Sequence, residues 1–245
     1  MSIQLERILQ SQGFGSRKAC RELVRAGRVT IAGRVCDDPG ADWPVDGLHF
    51  SVDDMEWPYR SQVYLLLHKP AGYECSRNPQ HHPSVLTLLP PPLMARGVQP
   101  VGRLDEDTTG LLLLTDDGSW LHRLTHPRRH VPKRYAATLK HPVTPALLQQ
   151  LAAGVLLHGE DSPLSASDLD GAGPHTLLLT IDQGKYHQVK RMVAAAGNRV
   201  QALQRLQFGC LALGDLAPGE WRYLTPAEAA LASTMPPEQF SADSG

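Results

Sequence analysis

Residues 111–114 are four consecutive leucines, a run too short for a helix. A short apolar run of this kind reads as a strand covered on both faces. Residues 63–67 and 176–181 read the same way, and residues 135–139 give a further strand. Helical patterns alternate with them. Residues 119–125 form a short helix stopped by Pro127. Thr144-Pro145 supplies a cap and an N1 proline for a helix closed by Gly154. Residues 186–196 form a helix ended by Gly197, and Thr225-Pro226-Ala227-Glu228 is a capping box that opens a last one. This order predicts a mixed-sheet α+β domain over residues 61–232. The proline-rich stretch 76–99 reads as loop, and residues 233–245 as a disordered tail with little to bury.

Residues 1–60 have a different pattern and predict a separate small α/β module. Leu5, Ile8 and Leu9 repeat at helical spacing, and Gly13-Phe14-Gly15 breaks the helix. Ser16 is a good N-cap for a second helix with Ala19, Cys20, Leu23 and Val24 on its apolar face. Gly27 stands where a left-handed C-cap residue belongs. A hairpin turning at Ala32-Gly33 and a strand over 48–52 follow, and Trp57-Pro58-Tyr59-Arg60 reads as a linker.

The net charge of -1 conceals strong segregation. Residues 1–34 carry seven basic groups, Arg7, Arg17, Lys18, Arg21, Arg25, Arg28 and Arg34, against Glu6 and Glu22. Residues 119–140 hold Arg123, Arg128, Arg129, Lys133, Arg134 and Lys140, and residues 183–205 hold Lys185, Lys190, Arg191, Arg199 and Arg205; neither stretch contains an acid. Three such segments in a near-neutral chain point to a polyanion, and nucleic acid is the reading they favour. Arg17, Lys18, Arg21, Arg25 and Arg28 lie mainly off the apolar stripe of the second helix and are the candidate phosphate contacts. No run of about 18 apolar residues is present, which excludes a transmembrane helix. The N-terminus lacks a basic stretch followed by an apolar one, so no secretory signal is expected, and the four dispersed cysteines read as reduced thiols of a cytoplasmic protein.

The densest acidic cluster is 103–110, Arg-Leu-Asp-Glu-Asp-Thr-Thr-Gly. Asp105, Asp107, Thr109, Gly110 and Asp116 match several positions of a calcium loop, but Leu113 falls where an oxygen donor is needed and Asp116 replaces the bidentate Glu. The metal reading is rejected, and so is one for His81-His82, which has no carboxylate at ligand spacing. Asp105, beside Arg103 and just before a buried strand, can instead be a carboxylate held ionised at a cleft, competent as a nucleophile without any metal. Glu106 and Asp107 lie in the same loop, and replacing them by their amides is expected to keep most activity. Residues 184–192 open a helix after a strand, a place that attracts phosphate.

Together these residues resemble the pseudouridine synthases. Arg103-Leu104-Asp105, Thr108 and Gly110-Leu111 match the family's central motif. Lys133 and Tyr135, the stretch 184–192, and Leu203 with Arg205 follow in the family's order. The basic first module resembles an S4 RNA-binding domain, and the resemblance covers about residues 3–230. Residues 107–110, 115–120 and 127–130, and the short acidic-polar end of the chain, are more similar to the branch acting on small-subunit (16S) rRNA than to the large-subunit (23S) branch. The resemblance implies an isomerase that converts a uridine to pseudouridine without a cofactor. Asp105 would be the nucleophile, Tyr135 would stack on the flipped base, Lys190 would partner Asp105, and Leu203 would wall the base pocket, with Arg103 also at the substrate. Lys185 stands where many relatives have Arg, which keeps the charge but loses the bidentate fork. The expected partner is ribosomal RNA, free or in an assembling small subunit, bound by a monomer. A non-catalytic rRNA-binding or ribosome-assembly protein of the same fold is the competing reading.

Overall fold

The computed structural model describes residues 1–232, so the expected tail at 233–245 lies outside the described residues. The chain forms two compact units. The first holds Met1–Val63 and Leu86–Gln99, and the second holds Tyr64–Val85 and the chain from Pro100 onward.

In the first unit, helices Leu5–Ser11 and Arg17–Arg25 accompany a four-stranded sheet in the order Arg34–Val35, Val29–Ile31, His49–Val52, Met55–Pro58. The Ser16 side chain accepts a hydrogen bond from the Ala19 amide and so caps the second helix. Phe14 packs edge-on against Phe50 at 5.7 Å and Trp57 at 5.4 Å. That packing corrects the linker reading: Trp57 is a buried residue of a strand, and both backbone polar groups of Arg60 are bonded, the amide to Gln12 and the carbonyl to Gln12 and Arg96. The proline-rich stretch also differs from a plain loop. Proline suits the first turn of a helix, where no amide donor is needed, and Pro91–Ala95 is helical. Arg96 then bonds Gln12 and the carbonyls of Arg60 and Ser61, which fastens this segment to the first unit.

The second unit is built on a mixed sheet. Its main path runs Ser167–Gly173, Thr176–Ile181, Lys133–Leu139, Val200–Phe208, Thr109–Thr115, Tyr64–Lys69, Trp221–Tyr223. All neighbours on this path are antiparallel except Val200–Phe208 and Thr109–Thr115, which are parallel. Leu111–Leu114 are each 0% exposed, as the unbroken apolar run requires. Alternation sends Leu111 and Leu113 into a cluster with Leu66, Trp120, Leu124, Phe208 and Leu224. The opposite face carries a row that crosses five strands in register: Lys69, Gly110, Arg205, Tyr135, Leu179. Gly110 (φ 105°) is required there, because a Cβ would lie 2.2 Å from the Arg205 carbonyl oxygen. The parallel strands pair at Gln204–Thr109 and Arg205–Gly110. Arg205 Nε bonds the Leu111 carbonyl next along that strand, at 2.7 Å.

Candidate active site

Lys69 is fully buried at the end of its strand. Its ammonium donates to the carbonyls of Pro70 (3.0 Å), Glu106 (2.8 Å) and Thr108 (2.9 Å). A buried cation is tolerated only when its donors are satisfied, and here three carbonyls satisfy it while it pins the loop that carries Asp105. Burial holds the Lys69 pKa below the ordinary value despite the surrounding acids. Further bonds fix the same loop. The Thr108 amide bonds the Asp105 carbonyl, the Gly72 amide bonds the Glu106 carbonyl, and the Leu104 amide bonds the buried Cys75 sulfur.

The Asp105 carboxylate stands between two basic side chains. Lys190 Nζ is 3.2 Å from Oδ2, and His187 Nε2 is 3.4 Å from Oδ1. Lys190 reaches Asp107 as well, at 2.6 Å. Burial opposes the charge on Lys190, but the Asp107 and Asp105 carboxylates outweigh it and raise its pKa. Burial likewise works against Asp107, and the bond from Lys190 outweighs it, so the Asp107 carboxyl falls below its usual range. Asp107 is therefore part of the charged cluster around Lys190. Lys190 lies in the first turn of helix Gln188–Ala195, whose N-cap is His187, a non-glycine residue in the left-handed region at φ 48°, ψ 33°. That turn of the backbone accompanies the approach of both side chains to one carboxylate. Reading residues 184–192 by charge overlooked His187; its place immediately before the helix is the signal that marks it.

The other expected residues fall as follows. Tyr135 and Leu203 are both 7% exposed. They share the sheet face of the Lys69–Gly110–Arg205 row, with Tyr135 opposite Arg205 and Leu203 opposite Ala137. Among the described residues no hydrogen bond or ion pair links either to Asp105. The Leu203 carbonyl accepts from Thr109 Oγ1 at 3.5 Å, which ties that strand to the Asp105 loop. Arg103 is exposed and makes no ion pair among the described residues, so the basic side chains at Asp105 are Lys190 and His187 and not the adjacent arginine. Lys185 pairs with Glu160 at 3.0 Å.

In the first unit the candidate phosphate contacts divide. Glu6 is buried and takes Arg21 through two hydrogen bonds and Arg17 at 3.7 Å. The Arg21 guanidinium holds the Glu6 pKa down. Arg28 pairs with Asp53 at 2.5 Å. Lys18 and Arg25 are exposed and make no ion pair among the described residues. In the second unit, burial and the nearby Arg205 push Lys133 down to about 8. Lys133 bonds the Asp182 carbonyl and lies over the Phe208 ring.

No group of three His, Cys, Asp or Glu among the described residues is arranged to hold a metal ion. The backbone amides of Gln80, His81 and His82 all donate to the Glu74 carboxylate, and those three bonds lower its pKa to about 2. No helix among the described residues is long and apolar enough to cross a membrane.

Comparison with known proteins agrees with this geometry. A family model described as RNA pseudouridylate synthase matches residues 63–195, and an S4 domain model matches residues 5–41. The ribosomal small subunit pseudouridine synthase A of Yersinia pestis is 44% identical over 230 residues, covering 93% of this chain and 97% of that protein. The protein of the same name from Escherichia coli (strain K12) is 40% identical over 235 residues, covering 93% and 99%. An uncharacterized RNA pseudouridine synthase of Bacillus subtilis (strain 168) is 39% identical over 230 residues, covering 92% and 96%. A crystal structure of a pseudouridylate synthase superposes with a TM-score of 0.66 at 34% identity, covering 94% of this chain and 99% of that one. An aspartate flanked by a lysine and a histidine, in a mixed-sheet unit that follows an S4 domain in the chain, is thus accompanied by relatives along nearly the whole length, and the chain belongs to the RNA pseudouridine synthase family.

Proposed function

We propose that this enzyme converts a uridine of small-subunit ribosomal RNA to pseudouridine, with Asp105 as the nucleophile. The observation that carries the reading is the Asp105 carboxylate, held by a pinned loop and flanked at 3.2 and 3.4 Å by Lys190 and His187. A purely RNA-binding surface gains nothing from a carboxylate, which repels phosphate.

The reaction breaks the bond from uracil N1 to the ribose C1′, turns the base, joins C5 to C1′, releases the C5 proton to solvent and takes up one proton at N1. Atoms and electrons balance without an oxidant or a metal. Asp105 supplies a lone pair, to the sugar carbon or to the base, that holds one fragment while the other turns. Lys190, 3.2 Å away, positions the carboxylate and balances its charge. The target base must leave its stack, and Tyr135, with Leu203 as a wall, receives it. Arg103 is exposed and free to meet the RNA backbone beside the loop. In the first unit, Lys18 and Arg25 carry the phosphate contacts, while Arg17, Arg21 and Arg28 first have to exchange their carboxylate partners. The small-subunit assignment is supported by the names of the relatives from Yersinia pestis and Escherichia coli.

The test treats unmodified small-subunit and large-subunit rRNA separately with the protein and maps new pseudouridines by carbodiimide labelling and primer extension. A single new stop in the small-subunit RNA is expected. Stops confined to large-subunit RNA would overturn the substrate, and no stop in either would overturn the reading.

A further inference from the structure

Tyr186 is 76% exposed, and it is the one aromatic among the large exposed apolar side chains of the described residues. It is not loose. Its ring lies on the His187 ring with centroids 3.8 Å apart and planes 17° from parallel, and Arg191 donates to its carbonyl. The far edge of His187 touches Asp105. Three groups are therefore in successive contact: the proposed nucleophile at the imidazole edge, the imidazole, and an aromatic ring on the imidazole face whose outer face is open. His187 adopts the left-handed backbone conformation at φ 48°, which sets the direction in which its ring leaves the helix start.

We infer that Tyr186, backed by His187, is a stacking platform for an unpaired base next to the target uridine. This rests on the reading of Asp105 as the catalytic centre. An open ring face beside a site that extracts one base meets single-stranded RNA, whose bases stack on aromatic side chains with little regard to sequence. The surroundings favour that occupant over an apolar peptide. Lys185 and Arg191 flank the stack in the chain and share one acid, Glu160, which leaves an excess positive charge beside the platform for the adjoining phosphate. The platform binds and positions; the chemistry stays with Asp105.

The experiment uses the full chain and the small-subunit rRNA fragment that it modifies. 2-Aminopurine or an abasic site replaces each of the two nucleotides adjoining the target uridine in turn. With wild-type protein, 2-aminopurine fluorescence is quenched at one of the two positions. Tyr186→Ala abolishes that quench and weakens binding about 5- to 150-fold, the range for one stacked base. Tyr186→Phe retains both. On RNA that is abasic at the quenched position, Tyr186→Ala and wild type bind alike. Equal losses on intact and abasic RNA, or no quench at either position, would overturn the platform. If wild-type protein isomerises no rRNA, the catalytic reading fails, and the quench is then measured on bound small-subunit fragments, where its absence independently removes the platform.

Discussion

Lys190 lies closer to Asp107, at 2.6 Å, than to Asp105, at 3.2 Å. One ammonium serves two carboxylates of unequal exposure: the Asp105 side chain is 31% exposed and that of Asp107 60%. Asp107→Asn breaks only an exposed pair, worth about 0.2–1 kcal/mol, so kcat falls by no more than about 5-fold. Lys190→Met removes the cation beside Asp105 itself, and its single-turnover rate should fall by more than about 5-fold. Equal losses in the two variants would show that Asp107, and not Lys190 alone, supports Asp105.

Lys69 acts through the loop and touches no reacting atom. Lys69→Met keeps the length of the side chain and leaves three carbonyls without their donor. Each unsatisfied buried group costs about 1–3 kcal/mol, offset by relief of the buried charge. We expect a net loss equal to about one such group, lowering Tm by roughly 2–10 °C for a chain of this size. Single-turnover rate at saturating enzyme falls, while RNA affinity changes little. Thermal melts and single-turnover assays on the same preparation check this.

Affinity in the first unit should follow the unpaired cations. Lys18→Ala and Arg25→Ala each reduce the slope of log K against log salt by about one. Arg28→Ala, which breaks the pair with Asp53, changes it less. Filter binding between 50 and 300 mM salt separates the cases, and equal slopes for all three variants would contradict the division.

Glu74 gives a pH signature. Three backbone amides hold its folded pKa near 2, against 4.5 for the free side chain. A depressed carboxyl pKa contributes stability that is present above the unfolded value and lost as pH falls through the folded one. The contribution therefore disappears between pH 4.5 and about 2. Glu228, also lowered to about 2 mainly through Arg222, behaves in the same way. Glu74→Gln should be less stable than wild type at pH 7 and approach it near pH 2. Urea midpoints at both pH values test this, and a gap that widens on acidification would contradict it.

The sequence made some of this legible for plain reasons. Leu111–Leu114 is apolar without interruption because both faces of its strand are covered, and Ser16 and Thr225 cap helices by chemistry local to a few residues. Asp105 stood out as an acid within a basic frame. Other features depend on distant partners. Ser167–Gly173 contains two aspartates and two glycines, and it is an edge strand held through its backbone to Thr176–Ile181. The pairing of Val200–Phe208 shifts register between Tyr135 and Arg134, which blurs its alternation. Nothing in the local sequence marks Lys69, and only the fold brings Glu106 and Thr108 to it. Arg21 looked like a phosphate ligand, and only the fold supplies Glu6.

The account turns on Asp105. Asp105→Asn keeps the shape of the side chain and removes its charge, and an amide does not form the covalent intermediate at a useful rate. The direct measurement is single-turnover release of tritium from C5-labelled uridine in small-subunit rRNA, with saturating enzyme and binding followed in parallel. Wild-type protein should release tritium, and Asp105→Asn should release none above background while binding the RNA at least as tightly, because a negative charge near phosphate is gone. Release by Asp105→Asn within about tenfold of wild type, a barrier change of only ~1.4 kcal/mol, would contradict Asp105 as the nucleophile.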